Sequence, residues 1–233
     1  MESKPVKLSP YNIPFRDPLP EEFSRPDLNA HLRQYFDFGS PVIVGRDASQ
    51  YHGNWDAVFE KPGPLCLEIG AGNGFFLQGM ASKYPDNNWL GIEIRYKRVV
   101  LTARKLQRSG CKNARILRYD VWCLDELFAK DEIAALYTNH PDPWSKKNQA
   151  KKRILSHPFA NWAAYVMKPG AEWRIKTDFE THIDTMLTVV KKLPFDVVGL
   201  SRDAHRDGFP WPVESDILTN YERKFVEKGE PIF

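Results

Sequence analysis

The chain has 233 residues, of which 42% are hydrophobic, 13% aromatic and 27% charged, with a formal charge of 33 − 30 = +3. A chain of this length buries about 70% of the surface its unfolded form exposes, so a domain held by its own core is expected, without disulfides or a structural metal. No apolar run approaches the roughly 18–20 residues of a membrane span, and the opening Met-Glu-Ser-Lys-Pro lacks the basic start and apolar centre of a signal peptide, which predicts a cytoplasmic protein with no membrane partner. The three cysteines, Cys66, Cys111 and Cys123, form no CxxC pair and are odd in number, as expected of reduced packing thiols.

The first thirty residues hold six of the eighteen prolines, Pro5, Pro10, Pro14, Pro18, Pro20 and Pro26, which oppose regular helix. Residues 1–55 are therefore expected as an extension, partly extended or disordered, ahead of a domain over 56–233. From Leu65 the texture changes. Leu65–Ile69 is a short buried strand, followed by a Gly-rich turn and a helix over Phe75–Lys83; Trp89–Ile94 is a second strand; Tyr96–Arg108 is a helix with Val99, Ala103 and Leu106 on one face and Gly110 as its stop. Strands at Ala114–Tyr119, Ile133–Thr138 and Trp173–Thr177 alternate with helices at Pro158–Met167 and Thr181–Lys192, and two further strands are expected at Phe195–Leu200 and Tyr221–Val226. Such alternation predicts an α/β protein: a doubly wound, mostly parallel seven-stranded sheet between two helical layers, ending in a hairpin. The polar loop Ser201–Ser215, with Phe209-Pro-Trp-Pro212, is expected at the surface at one end of the sheet.

Charge is unevenly distributed. From Glu93 to Asp120 no acidic residue intervenes, yet the stretch holds Arg95, Lys97, Arg98, Arg104, Lys105, Arg108, Lys112, Arg115 and Arg118; Lys146, Lys147, Lys151, Lys152 and Arg153 form a second run. Either run alone reads as a solvated face, but two flanking one candidate site point to a polyanion. The chemistry begins at Glu68-Ile-Gly70-Ala-Gly72-Asn-Gly74, where glycines two apart at a strand-to-helix turn let the backbone approach a ligand closely. The third glycine falls one residue early for the dinucleotide fingerprint. Glu93, about twenty residues further on at the end of the next strand, is placed to accept both hydroxyls of a ribose. Tyr137-Thr-Asn139-His-Pro141-Asp142-Pro143-Trp144-Ser-Lys146-Lys147 ends the fourth strand, and its prolines fix Asp142 beside Asn139 and Trp144 as a site for a planar polar ring.

The G-x-G-x-G turn preceded by an acid resembles motif I of class I S-adenosylmethionine-dependent methyltransferases. That resemblance implies S-adenosylmethionine as cofactor, with Gly70, Gly72 and Gly74 along it, Glu68 pairing with its ammonium group, and Asp120 near the adenine amino group. The Asn139-His-Pro141-Asp142-Pro143-Trp144-x-Lys146-Lys147 loop, Lys176-Thr177-Asp178 with Met186, and Thr219-Asn-Tyr221-Glu222-Arg223 together resemble the tRNA (guanine-N7)-methyltransferases, from about Leu65 to Gly229. That resemblance implies Asp142 as the catalytic residue, Asn139 among the cofactor contacts, and Lys146, Asp178, Thr219, Tyr221 and Glu222 with Asp142 on the substrate. It also implies tRNA as the partner, methylated at N7 of guanine 46 in the variable loop, by a monomer or homodimer. Two departures stand out: His140 replaces the family's usual aromatic, and Asn148-Gln149-Ala150 an Arg/His-rich stretch.

Guanine N7 carries an unprotonated lone pair at neutral pH, so its methylation needs no general base, and no Ser/His/Asp spacing supplies one. It needs in-line approach to the sulfonium methyl and a fixed carboxylate for the cationic product, a role that Asp142 suits, with Asp178 orienting the base. No metal site is expected, because Asp203-Ala-His205-Arg-Asp207 has no further ligand cluster and contains Arg206. The alternatives are methylation of another RNA or a small molecule, and a non-catalytic RNA-binding relative.

Overall fold

In the computed structural model, residues 8, 17 and 30–233 are described. The core of the fold is a six-stranded sheet, all neighbours parallel, in the order β1-β4-β3-β2-β5-β6. The strands are β1 (Val42–Ile43), β2 (Leu65–Ile69), β3 (Asn88–Glu93), β4 (Ala114–Arg118), β5 (Ile133–Asn139) and β6 (Met167–Lys176). Helices α1 (Ala30–Asp37), α2 (Phe75–Lys83), α3 (Tyr96–Ser109), α4 (His157–Val166), α5 (Glu180–Val190), α6 (Ala204–Asp207) and α7 (Asn220–Lys228) complete the fold.

Strands β2 and β3 are buried along their whole length, as a parallel sheet covered on both faces requires. Alternate residues feed different cores. Leu65, Leu67 and Ile69 join Trp55, Phe128, Phe159 and Trp162 on one face; Cys66 joins Phe76, Met80, Trp89, Val99 and Leu106 beneath α2 and α3 on the other. The amphipathic α3 buries Val99, Val100, Ala103 and Leu106, and ends where Gly110 turns left-handed at φ +68°.

The doubly wound α/β class stands as expected, with six strands among the described residues instead of seven. Tyr221–Val226, read as a strand from its aromatic and apolar residues, lies within α7 instead. Thr219 accepts a hydrogen bond from the Glu222 N–H while the Glu222 carboxylate reaches back to Thr219 N, a capping box that starts a helix. Residues 195–200 form no regular strand; Val197 and Val198 are exposed, so no sheet face holds them. At the other end, residues 30–55 of the expected extension carry structure: α1 lies against α3, Val42 pairs with Ile116 and Ile43 with Leu117, and Trp55 sits in the core. The prolines of the first thirty residues lie outside the described residues. Leu8 and Asp17 are both buried. Asp17 accepts hydrogen bonds from the Tyr35 and Tyr96 hydroxyls and pairs with Arg118 at 2.6 Å. Among the described residues no helix is long and apolar enough to cross a membrane.

Candidate active site

Parallel pairing puts the C-terminal ends of β2, β3, β4, β5 and β6 along one edge. Ile69 stands opposite Ile92 and Thr138, Glu93 opposite Arg118, and Asn139 opposite Lys176. Ligands of open α/β sheets bind at that edge. Between β2 and α2 the chain reverses through Gly70, Gly72 and Gly74, at φ +76°, +56° and +71°. A side chain is strained at all three, but for different reasons of space. A Cβ on Gly74 would strike Thr102 at 2.4 Å, whereas one on Gly72 would have only Arg98 and the Gly70 carbonyl at 3.8 Å. Gly74 is therefore kept bare by packing, and Gly72 faces open space above the sheet.

Two carboxylates flank this turn. Glu93 accepts from the Gly72 N–H at 3.1 Å through one oxygen and from the Arg95 N–H at 2.9 Å through the other, which leaves lone pairs on both for a diol. Glu68 is 2% exposed, and burial pushes its carboxyl up to about 8 despite Asn139 donating to it at 3.3 Å and the Lys176 charge nearby. Its second oxygen is buried without a hydrogen-bond partner. An orphaned acceptor at the lip of the glycine turn suits a cationic group, so the residues present fit the aminoacyl end of S-adenosylmethionine. Asp120 follows β4 and accepts from the Trp122 N–H at 3.0 Å, capping a short 3-10 helix as well as standing at the same edge.

Beyond β5 the loop His140–Trp144 is held in an uncommon shape. His140 and Trp144 adopt φ of +48° and +39°, left-handed conformations that cost of order 1–3 kcal/mol each in non-glycine residues and persist only where the surroundings impose them. The constraints are visible. The His140 N–H donates to the Lys176 carbonyl at 2.7 Å, and the Arg153 guanidinium donates to the carbonyls of Pro143 at 3.0 Å and Trp144 at 3.1 Å. Sequence groups Arg153 with the phosphate-binding lysines; its geometry makes it the clamp of the loop. Asp142 is exposed at the tip, while the Lys152 ammonium lies 4.7 Å from the centre of the half-buried Trp144 ring. Lys146 and Lys147 are exposed just beyond.

Helix α7 brings the C-terminal motif to this loop. The Tyr221 hydroxyl donates to Asp178 at 3.1 Å, and its ring lies 5.0 Å from that of His140. Thr219 sits at the helix start as its cap, and Glu222 is fully buried. Lys176, 1% exposed on β6, pairs with Glu222 at 2.8 Å and Asp216 at 3.0 Å. Burial pushes the Glu222 carboxyl up, but the neighbouring His140 and the Lys176 ammonium outweigh it and hold the group below the usual carboxylate range. Of the expected substrate residues, Asp142, Asp178 and Tyr221 thus gather around one loop, while Glu222 lies beneath them as the partner of a buried lysine. Sequence reading alone misses Lys176 and Asp216 as an anchoring pair; the Lys176-Thr177-Asp178 segment is its only signal. In the Phe209-Pro-Trp-Pro212 loop, Trp211 stacks on Phe209 and lies against Arg174, which makes it a packed anchor. Among the described residues no group of three or more His, Cys, Asp or Glu could hold a metal ion.

A methyltransferase family model matches residues 62–233. The tRNA (guanine-N(7)-)-methyltransferase of Bacillus licheniformis is 34% identical over 82% of this chain and 88% of its own length. The proteins of the same name from Bacillus velezensis and Bacillus subtilis are 35% and 33% identical over 82% of this chain, and over 86% and 88% of their own lengths. With the glycine turn, the Asp142 loop and the Thr219–Glu222 cap assembled at one sheet edge, and with relatives of this similarity over most of both chains, the chain belongs to the tRNA (guanine-N7)-methyltransferase family.

Proposed function

We propose that the protein transfers a methyl group to N7 of guanosine 46 in the variable loop of tRNA. S-adenosylmethionine, when bound, supplies the electrophilic sulfonium methyl. The chain's own residues then do three things. Glu68 and Asn139 receive the aminoacyl end, Glu93 the ribose hydroxyls, and Gly72 leaves the backbone open between them; Asp120 stands by the adenine. Asp178 presents a carboxylate that Tyr221 already orients, suited to the N1–H and amino donors of guanine's Watson–Crick edge. Asp142, fixed by flanking prolines and by the Arg153 clamp, sets a negative charge where the purine becomes cationic, which lowers the barrier by stabilising charge that develops only in the transition state. Lys146 meets the RNA backbone as a point charge.

The observation that supports this reading best is the Asp142 loop, clamped by Arg153, following directly on Asn139, which donates to the buried, half-satisfied Glu68 at 3.3 Å. A fixed acid at that sheet edge matches a nucleophile that has no proton to lose. Incubating the purified protein with bulk tRNA and methyl-labelled S-adenosylmethionine, followed by nucleoside analysis, tests it. N7-methylguanosine is expected from tRNA carrying guanosine 46, and none from a transcript with that guanosine replaced by adenosine. Label in any other nucleoside would overturn the assignment.

A further inference from the structure

Arg118 ends β4 directly opposite Glu93, the acid at the end of β3. Trp89, Ala114 and Ile116 all pack in the core beneath α2 and α3. Because every second residue of a strand shares a face, Glu93 and Arg118 project from that same face, on adjacent strands about 4.8 Å apart. An arginine so placed would ordinarily close on the carboxylate beside it. Its guanidinium is instead drawn to Asp17 at 2.6 Å, donates through Nε to the Ile94 carbonyl at 3.1 Å, and lies 4.0 Å from the centre of the Tyr96 ring. Ile94 adjoins Glu93, so the cation already spans to β3, one residue past the acid. Asp17 is itself fixed from several sides. Its buried carboxylate accepts from the Tyr35 hydroxyl on α1, from the Gly45 N–H at 3.0 Å and from the Tyr96 hydroxyl, at the start of α3, at 3.2 Å. The consequence falls on Glu93, whose oxygens accept from the Gly72 and Arg95 N–H groups, with the half-exposed Arg98 at 3.8 Å. Lone pairs remain there for a ligand so long as no guanidinium closes on them.

We propose, on the assignment of Glu93 to the ribose given above, that Asp17 is a positioning residue of the cofactor site: it draws Arg118 away from Glu93 and so leaves that carboxylate open to the ribose hydroxyls. Without the Asp17 charge the Arg118 cation is left without its carboxylate partner in a buried position, a costly state, and the acid within reach that relieves it is Glu93. A Glu93–Arg118 pair occupies the lone pairs that a diol needs. The defect belongs to ribose recognition, because Glu68 and Asn139, on β2 and β5, serve the aminoacyl end of the cofactor.

Calorimetry with S-adenosylhomocysteine and its 2′-deoxy analogue reads this out, since a general loosening of the fold weakens both ligands alike, whereas capture of Glu93 weakens the riboside more. The wild type is expected to favour the riboside by about tenfold or more, the scale of one hydrogen bond to a charged group. Asp17→Asn should cut that preference to about threefold or less, as the bond is lost, and adding Arg118→Met to the same chain should restore it. A preference that survives Asp17→Asn, or that Arg118→Met does not restore, overturns the proposal. Arg118→Met alone leaves Asp17 its three other donors and should keep the preference within about twofold of the wild type, the scale of an uncoupled change. A loss of preference in that variant overturns the proposal even where the Asp17→Asn protein does not fold. Glu93→Gln tests the ribose assignment separately, and should lower the preference as Asp17→Asn does. An unchanged preference in Glu93→Gln, or none in the wild type, rejects the assignment and the proposal with it. A preference lost in Glu93→Gln but kept in Asp17→Asn leaves the assignment standing and rejects the role of Asp17.

Discussion

Glu68 ties burial to ligand binding through a single proton. Its carboxyl is pushed up to about 8 by burial, against the pull of Asn139 and Lys176. The folded chain therefore favours the neutral acid: that contribution to stability is present below the ordinary carboxylate range and is lost as pH rises toward about 8. A cation arriving beside Glu68 reverses the preference and expels the proton. S-adenosylmethionine affinity should accordingly rise with pH up to about 8, with a slope approaching tenfold per unit, and calorimetry in buffers of different ionisation heat should detect proton release. Glu68→Gln should abolish both effects; a wild type with pH-independent affinity would remove Glu68 from the ammonium site. At Asp142 the charge matters only as the purine becomes cationic. Asp142→Asn should lower kcat by about 10²–10³ and change KM little, the pattern of an interaction made only in the transition state. A rise in KM with kcat preserved would make Asp142 a binding group.

At the scale of elements, a buried ion pair ties α7 to β6, and a cap starts the helix. Thr219→Ala removes the acceptor for the Glu222 N–H, and should cost about 1 kcal/mol in denaturant unfolding. Glu222→Ala leaves the Lys176 ammonium buried with Asp216 as its remaining carboxylate partner, and should cost about 3 kcal/mol, toward the lower end of the range for breaking a buried pair. Equal losses for the two variants would mean that α7 is held by packing and not by the pair. Arg153 acts at the same scale, because it fixes the shape of the 140–144 loop through two carbonyls. Its run of basic neighbours in sequence does not distinguish it from them; only the fold does.

Across the whole molecule, the two basic stretches have separate fates. Much of the Arg95–Arg118 charge is engaged within the chain. Arg118 pairs with Asp17, Arg98 approaches Glu93 at 3.8 Å, Arg104 donates to Gln34, and Lys105 lies 3.1 Å from the Phe75 ring centre. Lys146 and Lys147, beside the Asp142 loop, are exposed. A polyanion should therefore be felt chiefly there. Replacing both by Glu should weaken tRNA binding and reduce the slope of log affinity against log salt by roughly 2, about one for each phosphate no longer neutralised, with S-adenosylmethionine affinity unchanged. An unaltered slope would move the RNA footprint elsewhere on the surface.

The sequence by itself determined the parts whose signals are local. Buried apolar runs such as Leu65–Ile69, separated by helix-length crossovers, dictate a parallel sheet because only helices on both faces can cover strands with no polar side. Glycines at 70, 72 and 74 declare a backbone turn open to a ligand, and two prolines around Asp142 declare a rigid loop. Tertiary structure decided what depends on distant partners. Val42–Ile43 is too short to announce a strand and becomes one only because β4 offers an unpaired edge. Tyr221–Val226 has strand-like residues but is helical, because a cap and a buried lysine 46 residues away from Glu222 fix its first turn. Likewise the His140, Asp178 and Glu222 side chains, far apart along the chain, come together only after β5, β6 and α7 have packed. Local propensity carries no information about which charges will be desolvated together, and that is set by the fold alone.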